Sequence, residues 1–176
     1  MSGFESHGDP GAAAPRADWQ SLARAAAGNV GDEAEAEILR ELLTFRLADS
    51  PYAVPVERVR EIVRLRTITP VPRVPSSVLG VIALRGEIVQ VVDLRMRLGL
   101  ATPDPSRSSR VIVLHGDDDR VTGVLVDQVR EVLRVSEESF RPATSGESAS
   151  VTELCVRGEE FISVIDLDRV LEIDAV

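Results

Sequence analysis

The sequence predicts an all-β protein with minor α content: two small five-stranded β-barrels packed together, preceded by a mostly disordered tail. Three observations predict it. Valine occurs 25 times and isoleucine 9 times, against an aromatic content of 3%, and β-branched side chains suit the pleated surface of strands. Beyond residue 40, short apolar runs alternate with turn-forming Gly, Pro, Asp and Ser. The pattern also recurs. Val-Glu-Arg-Val-Arg-Glu-Ile at 56–62 returns as Val-Asp-Gln-Val-Arg-Glu-Val at 126–132, and Arg85-Gly86-Glu87 returns as Arg157-Gly158-Glu159. Asp93-Leu94 returns as Asp166-Leu167, so the offset stays between 70 and 73. Each copy holds roughly five short strands. Curling such a sheet into a barrel protects its edges, and two barrels sharing a core are the simplest arrangement.

Residues 1–40 form the tail. Segment 1–31 carries Gly8, Pro10, Gly11, Pro15, Gly28 and Gly31 without periodicity and reads as disordered. Ala17 to Ala27, around Trp19 and Leu22, is a marginal helix, too short to be stable alone. Asp32 to Leu42 reads as a short helix with Asp32 as its N-cap.

The domain spans 41–173. Leu43, Phe45 and Leu47 alternate with smaller or polar residues, Asp49-Ser50-Pro51 turns the chain, and Tyr52, Val54 and Val56 resume the alternation. Val59, Ile62 and Val63 make a helical turn opening into a strand. Pro70, Pro72 and Pro75 mark an extended loop. Gly80–Leu84 and Glu87–Leu94 are strands covered on both faces and joined at Arg85-Gly86, and Arg95–Leu98 is one helical turn. After a polar linker at 101–109, strands follow at 111–114, 121–126 and 151–156. Glu137-Glu138 lies in a short helical segment and Glu159-Glu160 in a hairpin turn.

The charge is -9, from 20 arginines against 29 carboxylates, with pI about 4.8. Such a chain lacks the basic footprint of nucleic-acid binding and has little attraction for anionic lipid. No apolar run reaches the roughly 18 residues of a membrane helix, and the N-terminus has no secretory signal. A single cysteine, Cys155, cannot close an internal disulfide. The protein is expected to be soluble and cytoplasmic.

Catalytic constellations are missing. His7 lies in the tail, and His115 is expected in an exposed turn. There is no clustered His/Cys set and no phosphate loop, so neither zinc nor nucleotide is expected, and no cofactor. Asp117-Asp118-Asp119 lacks the ligand spacing of a calcium loop and reads as a solvated turn. Cys155 reads as a buried, inert thiol. Arg85 follows the apolar run Val81–Leu84, and an arginine held at a barrel rim needs a carboxylate or an interface; Glu61 is the candidate.

These segments carry a resemblance. Phe45-Arg46-Leu47, Tyr52–Val56, Val59-Arg60-Glu61-Ile62, Ile68–Pro72, Leu79–Val89, Val92–Arg95, Gly123–Asp127, Val129–Val132 and Val164–Leu167 together resemble the CheW family of chemotaxis coupling proteins over residues 41–173. The resemblance implies two five-stranded SH3-like barrels and a non-enzymatic adaptor. It implies partners too: the cytoplasmic tip of chemoreceptors and the regulatory domain of a CheA-type histidine kinase, which shares the fold. By position, receptor contacts fall on Val59, Glu61, Gly80, Arg85 and Gly86, with an ion pair between Glu61 and Arg85. Kinase contacts are expected on exposed apolar residues of the second barrel, near Val124 and Val126. Ala83 and Gln90 depart from the family's usual Asn and Pro. They raise the alternative of an adaptor for a related kinase pathway controlling surface motility or development. The tail reads either as an inert linker or as a segment that docks through Trp19 and Leu22.

Overall fold

The computed structural model describes residues 38–116, 120–144 and 149–172. Eleven strands run in chain order among them. The first five are β1 (Leu39–Leu47), β2 (Ser50–Pro55), β3 (Val59–Arg64), β4 (Val78–Leu84) and β5 (Glu87–Asp93). The helix α1 (Leu94–Arg97) closes this first copy. Then come β6 (Arg110–His115), β7 (Val121–Val126), β8 (Gln128–Ser136), β9 (Phe140–Pro142), β10 (Val151–Arg157) and β11 (Glu160–Ile165). The helix α2 (Leu167–Leu171) closes the second copy. Asp93 and Asp166 cap the two helices through equivalent side-chain hydrogen bonds.

The two copies exchange their first hairpins. One sheet runs β3-β6-β7-β5-β4 and the other β8-β1-β2-β11-β10-β9. The hairpin β6–β7 of the second copy thus completes the barrel of the first, and β1–β2 of the first completes the barrel of the second. The exchange is symmetric in detail. Gln90 and Val91 pair in parallel with Thr122 and Gly123; Ser163 and Val164 pair in parallel with Tyr52 and Ala53. The register shift in β4, between Val78 and Gly80, recurs in β10 between Val151 and Glu153.

This exchange explains the apolar runs of β1, β6 and β7; β4 and β5, expected to be covered on both faces, instead leave Ala83 and Ile88 exposed. Along β1, Leu43, Phe45 and Leu47 face a core shared with Ile112, Leu114, Val124 and Val126 of the other sheet. Leu42 points into its own barrel with Leu133, Phe140, Cys155 and Ile162. In the first barrel Ile82, Leu84, Val89, Val91, Val111, Val113 and Leu125 fill the interior. Strands β1, β6 and β7 each serve one barrel interior and the shared core. Each fully buried Val, Leu or Phe contributes about 1.5–3 kcal/mol of transfer free energy.

Two local readings are corrected. Leu39–Leu42 belong to β1, not to a helix running from Asp32, because Leu39, Arg40, Glu41 and Leu42 pair with Ser136, Val135, Arg134 and Leu133 of β8. Residues 1–37, including the predicted helix at Ala17–Ala27, Trp19, Leu22 and His7, lie outside the described residues, as does Asp117-Asp118-Asp119. The first turn sits at Ala48-Asp49, with Ala48 at φ 52°. The later expectations hold better. The helical turn expected at Val59–Val63 lies just before that stretch, a 3-10 turn at Val56–Arg58 that opens into β3, and the short helical segment expected at Glu137-Glu138 is a 3-10 turn at Glu137–Ser139. His115 ends β6 exposed.

Candidate functional site

Alternation along β3 places Val59, Glu61 and Val63 on the inward side and Arg60, Ile62 and Arg64 outside. Val59 packs against the shared core and Val63 against the first barrel's interior. Glu61 therefore brings a carboxylate to the barrel rim between two apolar neighbours, where an unpaired charge would be costly. Arg85 supplies the countercharge: its Nη2 lies 3.1 Å from Glu61 Oε2. The pair is lopsided. The Glu61 side chain is 17% exposed and that of Arg85 77%, so the guanidinium stands out as a cationic post on a half-buried base.

The turn presents that post. Arg85 has φ 50° and Gly86 φ 84°, the pair of positive values that a two-residue β4–β5 hairpin with native twist requires. Gly86 accepts this freely; Arg85 does so at a cost. A second bridge, Arg60 to Glu87 at 2.7 Å, runs alongside. The two bridges lace β3 to the β4–β5 turn, joining the two edge strands of the five-stranded sheet. Ile62 and Ile88, 41% and 69% exposed, flank them. Sequence reading did not single out Arg60, Ile62, Glu87 or Ile88; the outward phase of β3 would have revealed the first two.

Gly80 is buried and belongs to the support of this rim rather than its surface. Its φ is 142°, and a Cβ there would stand 2.2 Å from the Thr69 carbonyl oxygen. The missing side chain lets the proline-rich loop bond to β4, with Thr69 N–H donating to Val81 O at 2.8 Å and Val81 N–H to Thr69 O at 2.9 Å.

Val124 and Val126 are corrected. Both are fully buried in the shared core, because β7 is covered on both faces; neither offers a surface to a partner.

Cys155 is buried, and desolvation pushes its thiol up from the ordinary value, against smaller opposing pulls from Arg40 and Arg157. A raised thiol is a poor nucleophile. Among the described residues no group of His, Cys, Asp and Glu is arranged to hold a metal, and no helix is long and apolar enough to cross a membrane.

Paired barrels with a charged post on an apolar rim define a binding module that works through its surface. Comparison with known proteins gives the family. The CheW-like domain model matches residues 41–175. The chain is 36% identical over 135 residues to the chemotaxis protein CheW of Rhizobium meliloti, covering 74% of this chain and 86% of that one. It is 29% identical over 144 residues to protein FrzA of Myxococcus xanthus, covering 79% and 89%. The crystal structure of the scaffolding protein TtCheW from Thermoanaerobacter tengcongensis superposes with a TM-score of 0.73 at 28% identity, covering 79% of this chain and 97% of that one. The chain belongs to the CheW family and is a coupling adaptor of chemotaxis signalling.

Proposed function

We propose that this adaptor bridges the cytoplasmic tip of a chemoreceptor and the regulatory domain of a CheA-type histidine kinase, acting in the cytoplasm by contact and without turnover. The receptor contact is built on the Glu61–Arg85 post. The observation that carries this reading is the asymmetry of that pair, a half-buried carboxylate fixing a guanidinium that is 77% exposed. A charge held in place without burial costs little to keep and is ready for a partner's carboxylate or carbonyl. Val59 sets the inward phase of β3, Gly86 the turn, and Gly80 the seat of β4.

The test is binding of a soluble receptor fragment to Arg85→Glu. Two facing carboxylates at the rim repel, and the exposed position lets the chain keep its fold. Affinity is expected to fall at least about tenfold, with the kinase's regulatory domain still bound. Unchanged receptor affinity in the folded variant overturns the reading.

A further inference from the structure

The Arg85 post stands on a turn that reaches β3 through side chains. β3 and β4 are the two edges of the five-stranded sheet, and two ion pairs bridge them at the rim. Glu61 holds Arg85, and Arg60 Nη1 lies 2.7 Å from Glu87 Oε2. The strand is shaped to allow both. Its pairing with β6 shifts between Val59 and Glu61, which leaves Arg60 as the extra residue of a bulge, and a bulge re-aims the side chain it carries. Two adjacent residues of β3 thus both reach the β4–β5 turn.

The signs of the four charges fix the placement. β3 offers a cation at 60 and an anion at 61, and the turn offers a cation at 85 and an anion at 87. Bringing Arg85 to Arg60, or Glu87 to Glu61, would set like charges face to face, which is destabilising. Glu61 alone fixes the end of one long side chain. The second bridge fixes the turn from which that side chain rises.

The second barrel has the fold but not this arrangement. Its β8 carries the same register shift against β1, between Val129 and Val132, with Arg130 and Glu131 in the bulge. Glu131 pairs with Arg157, and both are half-exposed. Among the described residues Arg130 forms no bridge to Glu160, the equivalent of Glu87; Glu160 acts on Arg157 instead. Bulge and hairpin therefore persist without a second bridge. The Arg60–Glu87 pair is not a requirement of the fold, and it occurs where the exposed post occurs.

We propose that Arg60 and Glu87 are positioning residues of the receptor contact: their bridge holds the β4–β5 turn in register on β3 and so sets where the Arg85 guanidinium meets its partner. The inference rests on the reading of Arg85 as a receptor contact. A partly exposed pair adds little to stability, so its worth lies in ordering Arg85 before the partner arrives.

The experiment reads two quantities on the full chain: the NMR order parameter of the Arg85 side-chain Nε, and the affinity for a soluble cytoplasmic fragment of a chemoreceptor from the same host. Glu87→Gln and Arg60→Gln, both with wild-type circular dichroism, are each expected to lower the Arg85 order parameter and to weaken binding about three- to fivefold. In an Arg85→Ala background Glu87→Gln is expected to weaken binding no further, because its effect runs through Arg85. The same loss in that background means that Glu87 touches the partner itself, and overturns the proposal. So does an Arg85 order parameter unchanged by Glu87→Gln. Receptor affinity untouched by Arg85→Ala overturns the receptor reading; a lowered Arg85 order parameter in Glu87→Gln then still supports the bridge as what holds the post.

Discussion

The corners where the two barrels meet are equivalent by duplication yet built from opposite materials. At one corner Arg95 on α1 is 2% exposed. Its Nη1 lies 3.0 Å from Asp127 Oδ1 and its Nε 3.4 Å from Asp93 Oδ1. Asp127 also accepts from the Ala48 N–H at 2.6 Å, so one buried cation ties the exchanged hairpin to both sheets. At the other corner the residue equivalent to Arg95 is Asp168. It pairs with Arg58 at 2.9 Å, at a site whose side chains are 26% and 61% exposed. The charge order is reversed and the pair is wet. The same fold thus tolerates a charged lock or an open clasp at one topological position, and burial decides which of them matters.

Five substitutions break or sharpen that contrast. Arg95→Met strips the lock and leaves Asp93 as a buried, uncompensated carboxylate; stability is expected to fall by about 3–5 kcal/mol, read as a lower urea midpoint with unchanged m-value.

The barrels differ next at Gly80 and its equivalent, Glu153. A Cβ on Gly80 would stand 2.2 Å from the Thr69 carbonyl oxygen, so Gly80→Ala is expected to cost about 1–3 kcal/mol through overpacking and a strained φ. Glu153→Ala, which loses only a 2.9 Å bridge to Arg40, should cost less than about 1 kcal/mol. Equal melting shifts would refute a barrel-specific constraint.

The interiors differ at Cys155, whose equivalent is Ile82. A thiol whose folded value is raised above its unfolded one gives full stability below the unfolded value of about 9, and loses it as pH climbs toward the folded value. As pH rises above about 9, wild type should therefore lose stability faster than Cys155→Ala, by up to about 1.4 kcal/mol per pH unit. Parallel pH profiles would count against this.

The smallest effect belongs to the open clasp. Arg58→Met should change stability by less than about 1 kcal/mol, and a loss matching that of Arg95→Met would erase the contrast between corners.

Much of this was legible in the sequence. Strand alternation, the two-residue hairpins and the repeated Val-Arg-Glu segments placed most elements, and the apolar run ending in Arg85 pointed to Glu61. The misses have physical causes. Leu39–Leu42 look helical locally but gain their hydrogen bonds from β8, about ninety residues away, so tertiary pairing overrides propensity. Val124 and Val126 look like one face of a half-exposed strand because nothing local reveals that the shared core covers them. The repeated Arg-Gly-Glu is out of step by one: Arg85 is a turn residue, while Arg157 ends β10. Both arginines nonetheless reach the equivalent glutamates. Above all, a duplication read from sequence is silent on whether each hairpin stays with its own copy or crosses to the other.

That crossing also fixes the order in which the protein can mature on the ribosome. When the first copy has emerged, β1 and β2 have no sheet to join, since their neighbours β8 and β11 are still untranslated. The first barrel closes only after β7 appears, and the second must wait for β11. At about 5–20 residues per second, the nascent hairpin holding Leu43, Phe45 and Leu47 spends several seconds with its apolar faces unclaimed, the interval in which a holding chaperone would meet it.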